Sequence, residues 1–154
     1  MHRIYEYHHL VTNDEIDGLG HVNNVVYLKW LQDAAVAHSG ANGWPARRYR
    51  EQGIGWVARS HFIEYLQPAF VDQEIIVQTW ISNLQKVKSL RKYRIIRPAD
   101  SELLVRAETN WAFVNYQSLS PCRIPTEVSE CFSVISDEEA PEQAAFSEKF
   151  TDKT

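Results

Sequence analysis

The sequence predicts an α+β domain in which one long helix, set after a first strand, is covered by an antiparallel sheet. Three observations lead there. Residues 25–39 follow a helical pattern that is apolar around most of its circumference, which demands burial on several sides. Long strand patterns follow Gly53 with no helical pattern between them, so they pair antiparallel as hairpins or a meander. A chain of 154 residues makes one domain, so helix and sheet must bury each other.

Each element has a local reason. Residues 3–13 are rich in aromatic and β-branched types and read as the first strand. Residues 13–24 hold Gly18, Gly20 and several Asn and Asp residues, so they read as a loop. Asn23 or Asn24 supplies the N-cap of the 25–39 helix, and Gly40 reads as its stop. Lys29, Gln32 and Asp33 share one narrow polar face. Val25, Tyr27, Leu28, Trp30, Leu31, Ala34, Ala35 and Ala37 fill most of the rest. Residues 44–52 read as a short helix beginning at Pro45. The later strands are expected at 54–66, 74–84, 88–97 and 103–116, separated by Gln67-Pro68, Asn83 and Pro98-Ala-Asp100. In the last of them Leu103, Val105, Ala107, Thr109, Trp111 and Phe113 alternate with Arg106, Glu108 and Asn110, which assigns the first set to one face. Residues 1–135 form the expected domain. Residues 136–154 form an expected flexible tail that accounts for the whole net charge of −4 and leaves the body neutral.

Composition excludes several function classes. Five Trp, seven Tyr and six Phe exclude a chain disordered throughout. Cys122 and Cys131 are too few for a disulfide framework and lack metal-ligand spacing, which favours a reducing, cytoplasmic setting. No apolar run approaches a membrane span, and the opening residues lack a signal-peptide core. His8 and His9 are strand neighbours pointing to opposite faces, so they make poor co-ligands; no metal and no cofactor is expected. His61 and Glu64 likewise fall on opposite faces and read as packing or solvent residues. Cys122 reads as a structural thiol, and Trp30, Trp56, Trp80 and Trp111 as core or interface aromatics. Six bases and no acid lie between Lys86 and Arg97, either a phosphate clamp or a solvated strand face. A neutral body without a matching motif argues against nucleic acid.

The chemistry-bearing stretch is Glu15-Ile-Asp17-Gly-Leu-Gly-His21-Val-Asn-Asn24-Val-Val-Tyr27-Leu-Lys-Trp30. A carboxylate and an imidazole stand four residues apart, in a Gly-containing loop ahead of a buried helix. Amides at a helix start lack intrahelical partners and can hold a carbonyl oxygen or an oxyanion. Asp17 could then attack an acyl group polarised there, or deprotonate water beside it. An Asp in such a turn also serves simply as a cap or turn former.

This stretch resembles the signature of the hot-dog-fold acyl-CoA thioesterases, the 4-hydroxybenzoyl-CoA thioesterase family in the broad sense. It is also similar to the His-Val-Asn-Asn stretch of plant acyl-ACP thioesterases. Ile63-Glu-Tyr65-Leu-Gln-Pro68-Ala69, followed by Asp72, resembles the family's Tyr-x-x-Pro-Ala turn, and Lys88-Ser89 resembles a Lys-Ser of CoA-binding members. The resemblance covers about residues 3–135. It implies a sheet curled around a central helix, and protomers joined edge to edge through the strand at 54–66 as a dimer or tetramer. It implies Asp17 as nucleophile or general base, Asn24 near the polarising amide, and His21 as the motif histidine. Lys88, Ser89 and Arg91 are the candidate contacts for the CoA phosphates. Plant acyl-ACP enzymes place Asn two residues after the Asp; this chain has Leu19.

The implied reaction is hydrolysis of an acyl-CoA to an acid and CoA. It needs little machinery, because a thiol of pKa about 8.5 leaves without a strong general acid. Two other readings stand beside it. An acidic acyl-carrier protein could be the acyl carrier, docking on the basic strand. A hot-dog domain could also bind acyl groups without catalysis.

Overall fold

The computed structural model describes residues 3–140. In chain order the elements are β1 (Tyr5–Leu10), α1 (Asn24–Ala41), α2 (Ala46–Gln52), β2 (Ile54–Tyr65), β3 (Glu74–Leu84), β4 (Lys88–Arg97), β5 (Glu102–Asn115) and α3 (Thr126–Ser129). The strands form one antiparallel sheet in the order β1-β3-β4-β5-β2. β3, β4 and β5 are the expected meander. β1 and β2 add at its two edges through pairings distant in sequence.

α1 lies across one face of this sheet. Its Tyr27, Trp30, Leu31, Ala34 and Ala35 pack with Ile75, Val77, Tyr93, Ile95, Val105 and Ala107. A second cluster, around Trp44, Tyr49, Phe113, Val128 and Phe132, brings α2, β5 and α3 together. Among the described residues, no helix is long and apolar enough to cross a membrane.

Two local expectations are corrected. α1 does not stop at Gly40 but runs to Ala41 and is capped at Asn42. Its last turn is held by packing: His38 and Ser39 are buried, and the Ser39 hydroxyl donates to the Trp44 carbonyl at 2.7 Å. This outweighs the entropic cost of a helical glycine. In β5 the alternation breaks at its start. Ile95 faces Val105 but Ile96 faces Leu103, so Leu104 is an extra residue and takes the core place assigned to Leu103.

Residues 136–140, the beginning of the expected tail, lie against the body. Asp137 pairs with Lys92 at 2.9 Å and Glu139 with Arg3 at 2.7 Å. Val134 bridges Ile81, and the Ile135 amide donates to the Ile81 carbonyl, on the part of β3 beyond its register with β1. The rest of that tail, 141–154, lies outside the described residues.

Candidate active site

The loop before α1 is a closed unit. Ile16 bridges Val22, the Asp17 amide donates to the His21 carbonyl at 2.7 Å, and the Gly20 amide donates to the Asp17 carbonyl at 3.2 Å. Gly20 has φ +88°, a conformation that disfavours any side chain there. Asp17 Oδ1 accepts from the amides of Leu19 at 2.8 Å and His21 at 3.3 Å. These bonds fix the half-buried carboxylate while engaging one of its two oxygens.

The start of α1 follows directly. Asn23 is the N-cap, its Oδ1 accepting from the Val25 amide at 3.1 Å, and its carbonyl takes the Val26 amide at 2.9 Å. Asn24 is the first helical residue, and its amide has no acceptor among the described residues. Asp17 and this open amide thus sit at the two ends of one eight-residue loop–helix junction.

The two motifs quoted from the sequence meet in space. The Tyr65 hydroxyl donates to the Asn24 carbonyl at 3.0 Å, the Val22 amide to the Ala69 carbonyl at 3.0 Å, and the Ala69 amide to the Tyr27 hydroxyl at 2.9 Å. The turn after β2 therefore braces the loop before α1. Asp72, in the same turn, holds φ +67° while its amide donates to the Val11 carbonyl.

Glu15 is a positioning residue that the sequence reading passed over. It accepts from the Thr12 amide at 2.9 Å, His9 Nε2 at 2.8 Å and Trp30 Nε1 at 2.8 Å. Burial pushes its carboxyl up, but the bonds from Thr12, His9 and Trp30 together outweigh that and hold it down at about 2. The loop is thereby tied to β1 and to the buried middle of α1. The Thr12-x-x-Glu15 spacing of a capping box was the available signal.

The remaining candidates are dispersed. The exposed His21 ring meets Phe70 edge-on at 5.6 Å, so its link to Asp17 runs through the backbone. Lys88 is exposed, whereas Ser89 and Arg91 are buried on the helix-facing side of β4. The three do not form one clamp, because Lys88 alternates out of phase with the other two. Of the other bases on β4, Lys92 pairs with Asp137 and Arg97 with Asp100. His61 and Glu64 do fall on opposite faces: His61 meets Thr109 at 2.8 Å and Glu64 pairs with Arg106 at 2.9 Å.

A cavity of about 150 Å³ opens at the far end of α1, between that helix, α2 and the sheet. Its wall includes Trp44, Tyr49, Trp56, Trp111, Phe132 and Arg91.

Known proteins resemble this chain in sequence and in fold. Residues 11–132 match the family model of the thioesterase-like superfamily. The chain belongs to that superfamily. A Bacillus subtilis (strain 168) protein named as a candidate acyl-CoA thioesterase, YneP, is 26% identical over 107 residues, spanning 70% of this chain and 77% of that one. Among solved structures, the 1,4-dihydroxy-2-naphthoyl-CoA thioesterase Slr0204 from Synechocystis is similar at TM-score 0.78 and 17% identity, over 83% of this chain and 94% of that chain. SAV2348 from Staphylococcus aureus, solved in complex with CoA, is similar at TM-score 0.80 and 15% identity, over 92% of each chain. The fold is the hot-dog fold, a five-stranded antiparallel sheet with its helix laid along one face.

Proposed function

We propose that this member of the superfamily hydrolyses acyl-CoA thioesters, with Asp17 acting on the acyl carbon while the Asn24 amide holds the carbonyl oxygen. The observation that carries the reading is the closed junction itself. Two amides pin one oxygen of Asp17, and the nearby helix start keeps an amide without an acceptor. As general base, Asp17 takes a proton from water. The hydroxide adds to the thioester carbon, the oxyanion rests at the Asn24 amide, and the C–S bond breaks to release the CoA thiolate and the acid. The proton on Asp17 then passes to the thiolate. As nucleophile, Asp17 would instead form a mixed anhydride that water opens in a second step. His21 acts here mainly through its backbone. The His-Val-Asn-Asn loop favours the 4-hydroxybenzoyl-CoA thioesterase branch of the superfamily.

Two copies pair antiparallel through β2. It is an edge strand whose middle, residues 58–62, is exposed throughout. Apolar side chains beside the site add to this: Leu19 is 82% and Val25 72% exposed, with Phe62 and Tyr65 near half. Self-pairing sets the Trp56 end of one β2 beside the Tyr65 end of the other. The Lys88 row is in register with Val57, through Ala112, which sets the start of β4 at the sheet end that self-pairing brings towards the other copy's Asp17, while the Lys88 side chain itself lies on the face away from α1.

The test is thiol release from a panel of acyl-CoAs. Asp17→Ala lowers kcat by about 10²–10⁴, while His21→Ala costs much less. Equal turnover by wild type and Asp17→Ala removes the assignment. Faster turnover of the same acyl group on acyl-carrier protein would change the carrier. Single turnover in ¹⁸O water separates the two roles of Asp17, since only the nucleophilic route leaves label in its carboxylate.

A further inference from the structure

Arg91 is a cation buried where an isolated charge is costly. It is 5% exposed, and its Nη1 is within hydrogen-bond distance of His38 Nδ1 at 2.9 Å and Thr79 Oγ1 at 3.0 Å. Both act as neutral acceptors, since His38 Nδ1 can accept from a guanidinium only when unprotonated. Among the described residues no carboxylate pairs with Arg91, and its Nε and Nη2 make no hydrogen bond. The residue lines the cavity at the far end of α1.

Three of the hydroxyls on that wall, those of Ser39, Ser89 and Tyr49, are already committed. Ser39 donates to the Trp44 carbonyl and Ser89 to the Asn83 carbonyl. Tyr49, 3.1 Å from the Ser39 oxygen, therefore donates to it, and accepts from Trp56 Nε1 at 3.1 Å. What the cavity offers is a planar, charged donor edge among aromatic walls. The Nε and Nη2 edge of an arginine matches a carboxylate with two parallel bonds. A volume of about 150 Å³ is about that which holds one benzene ring.

The cavity's place adds direction. Ala35 and Ser39, on its wall, lie about 17–22 Å along α1 from Asn24, too far to serve the same copy's Asp17. Trp56, also on its wall, is at the β2 end that self-pairing brings beside the other copy's Tyr65 and Asn24.

We infer that this cavity receives the distal end of the acyl group, and that the group it selects is a short acyl chain of about six carbons, or one ring, ending in a carboxylate held by Arg91. The inference rests on the thioesterase reading and on pairing through β2.

Adipoyl-CoA and hexanoyl-CoA differ by a carboxylate in place of a methyl group and make the test. Wild type is expected to favour adipoyl-CoA by about tenfold or more in kcat/KM. Arg91→Met brings that ratio to about one or below, and Arg91→Lys restores part of it. Should those variants fail to fold, wild type alone decides: hexanoate raises its Tm and 1-hexanol does not. Both esters hydrolysed with a ratio near one in wild type overturns the inference and leaves the thioesterase reading standing. Hydrolysis of neither ester overturns the inference, and the wider acyl-CoA panel then decides the thioesterase reading separately: turnover of any other acyl-CoA keeps that reading, and turnover of none removes it.

Discussion

Replacing Glu15 by Gln probes the brace beneath the loop before α1. The side chain keeps its shape, but one acceptor oxygen becomes an NH₂ facing donors from Thr12, His9 or Trp30. The wild-type carboxyl is held at about 2, against an ordinary 4.5. That difference corresponds to about 3 kcal/mol at neutral pH, and solvent screening at this partly open loop cuts it to about 1–2 kcal/mol. The folded-state value is depressed, so the contribution is fully present above about 4.5. It fades as pH falls towards about 2, where the folded carboxyl also takes a proton. Urea unfolding of wild type and Glu15→Gln at pH 7, 5, 4 and 3 measures this directly. Effects of the other carboxylates cancel in the difference between the two proteins. The expected gap is about 1–2 kcal/mol at pH 7 and pH 5, shrinking at pH 4 and again at pH 3. A gap that stays constant across that range would refute the charge-based brace and leave only a loss of shape.

Tyr27→Phe removes the acceptor of the Ala69 amide, which is fully buried, and should cost about 1–3 kcal/mol in chemical denaturation. Because that bond also ties the turn after β2 to the loop before α1, kcat should fall as well, with Asp17 itself untouched. Phe62→Lys puts a charge in the exposed middle of β2. Light scattering should then show a shift from dimer to monomer and a parallel loss of turnover, whereas an unchanged mass would count against pairing through this strand.

Much of the fold was legible because its signals are local. β3 and β4 run over 74–84 and 88–97 as the strand patterns place them, although Asn83, read as a turn residue, lies inside β3. Asn23 caps α1 because its side chain reaches the Val25 amide, a bond between near neighbours. Gly40 misled because its effect on α1 is decided by contacts with Trp44, a tertiary matter that propensity does not contain. Leu103 misled for a related reason: a bulge inverts alternation from one residue onward, and nothing in the run Glu102-Leu-Leu-Val announces it. The strand order was beyond local reading altogether, since β1 finds β3 and β2 finds β5 across long stretches of chain.

The candidate site divides along the same line, and the division bears on function. Asp17, Asn24 and the turn at Tyr65–Ala69 lie in two short segments, so their spacing in sequence already hints at their geometry in space. On the proposed reading, that machinery asks only for a thioester. The cavity around Arg91 is assembled from residues as distant as Trp44, Trp56, Trp111 and Phe132, one or two from each element. No spacing encodes such a surface, and small changes on any of those elements reshape it without touching the junction. On these proposals, reaction and selectivity are written at different ranges along the chain. If both proposals hold, hot-dog proteins that share this loop can accept different acyl groups, and this chain's choice is to be read from a buried arginine rather than from its motif.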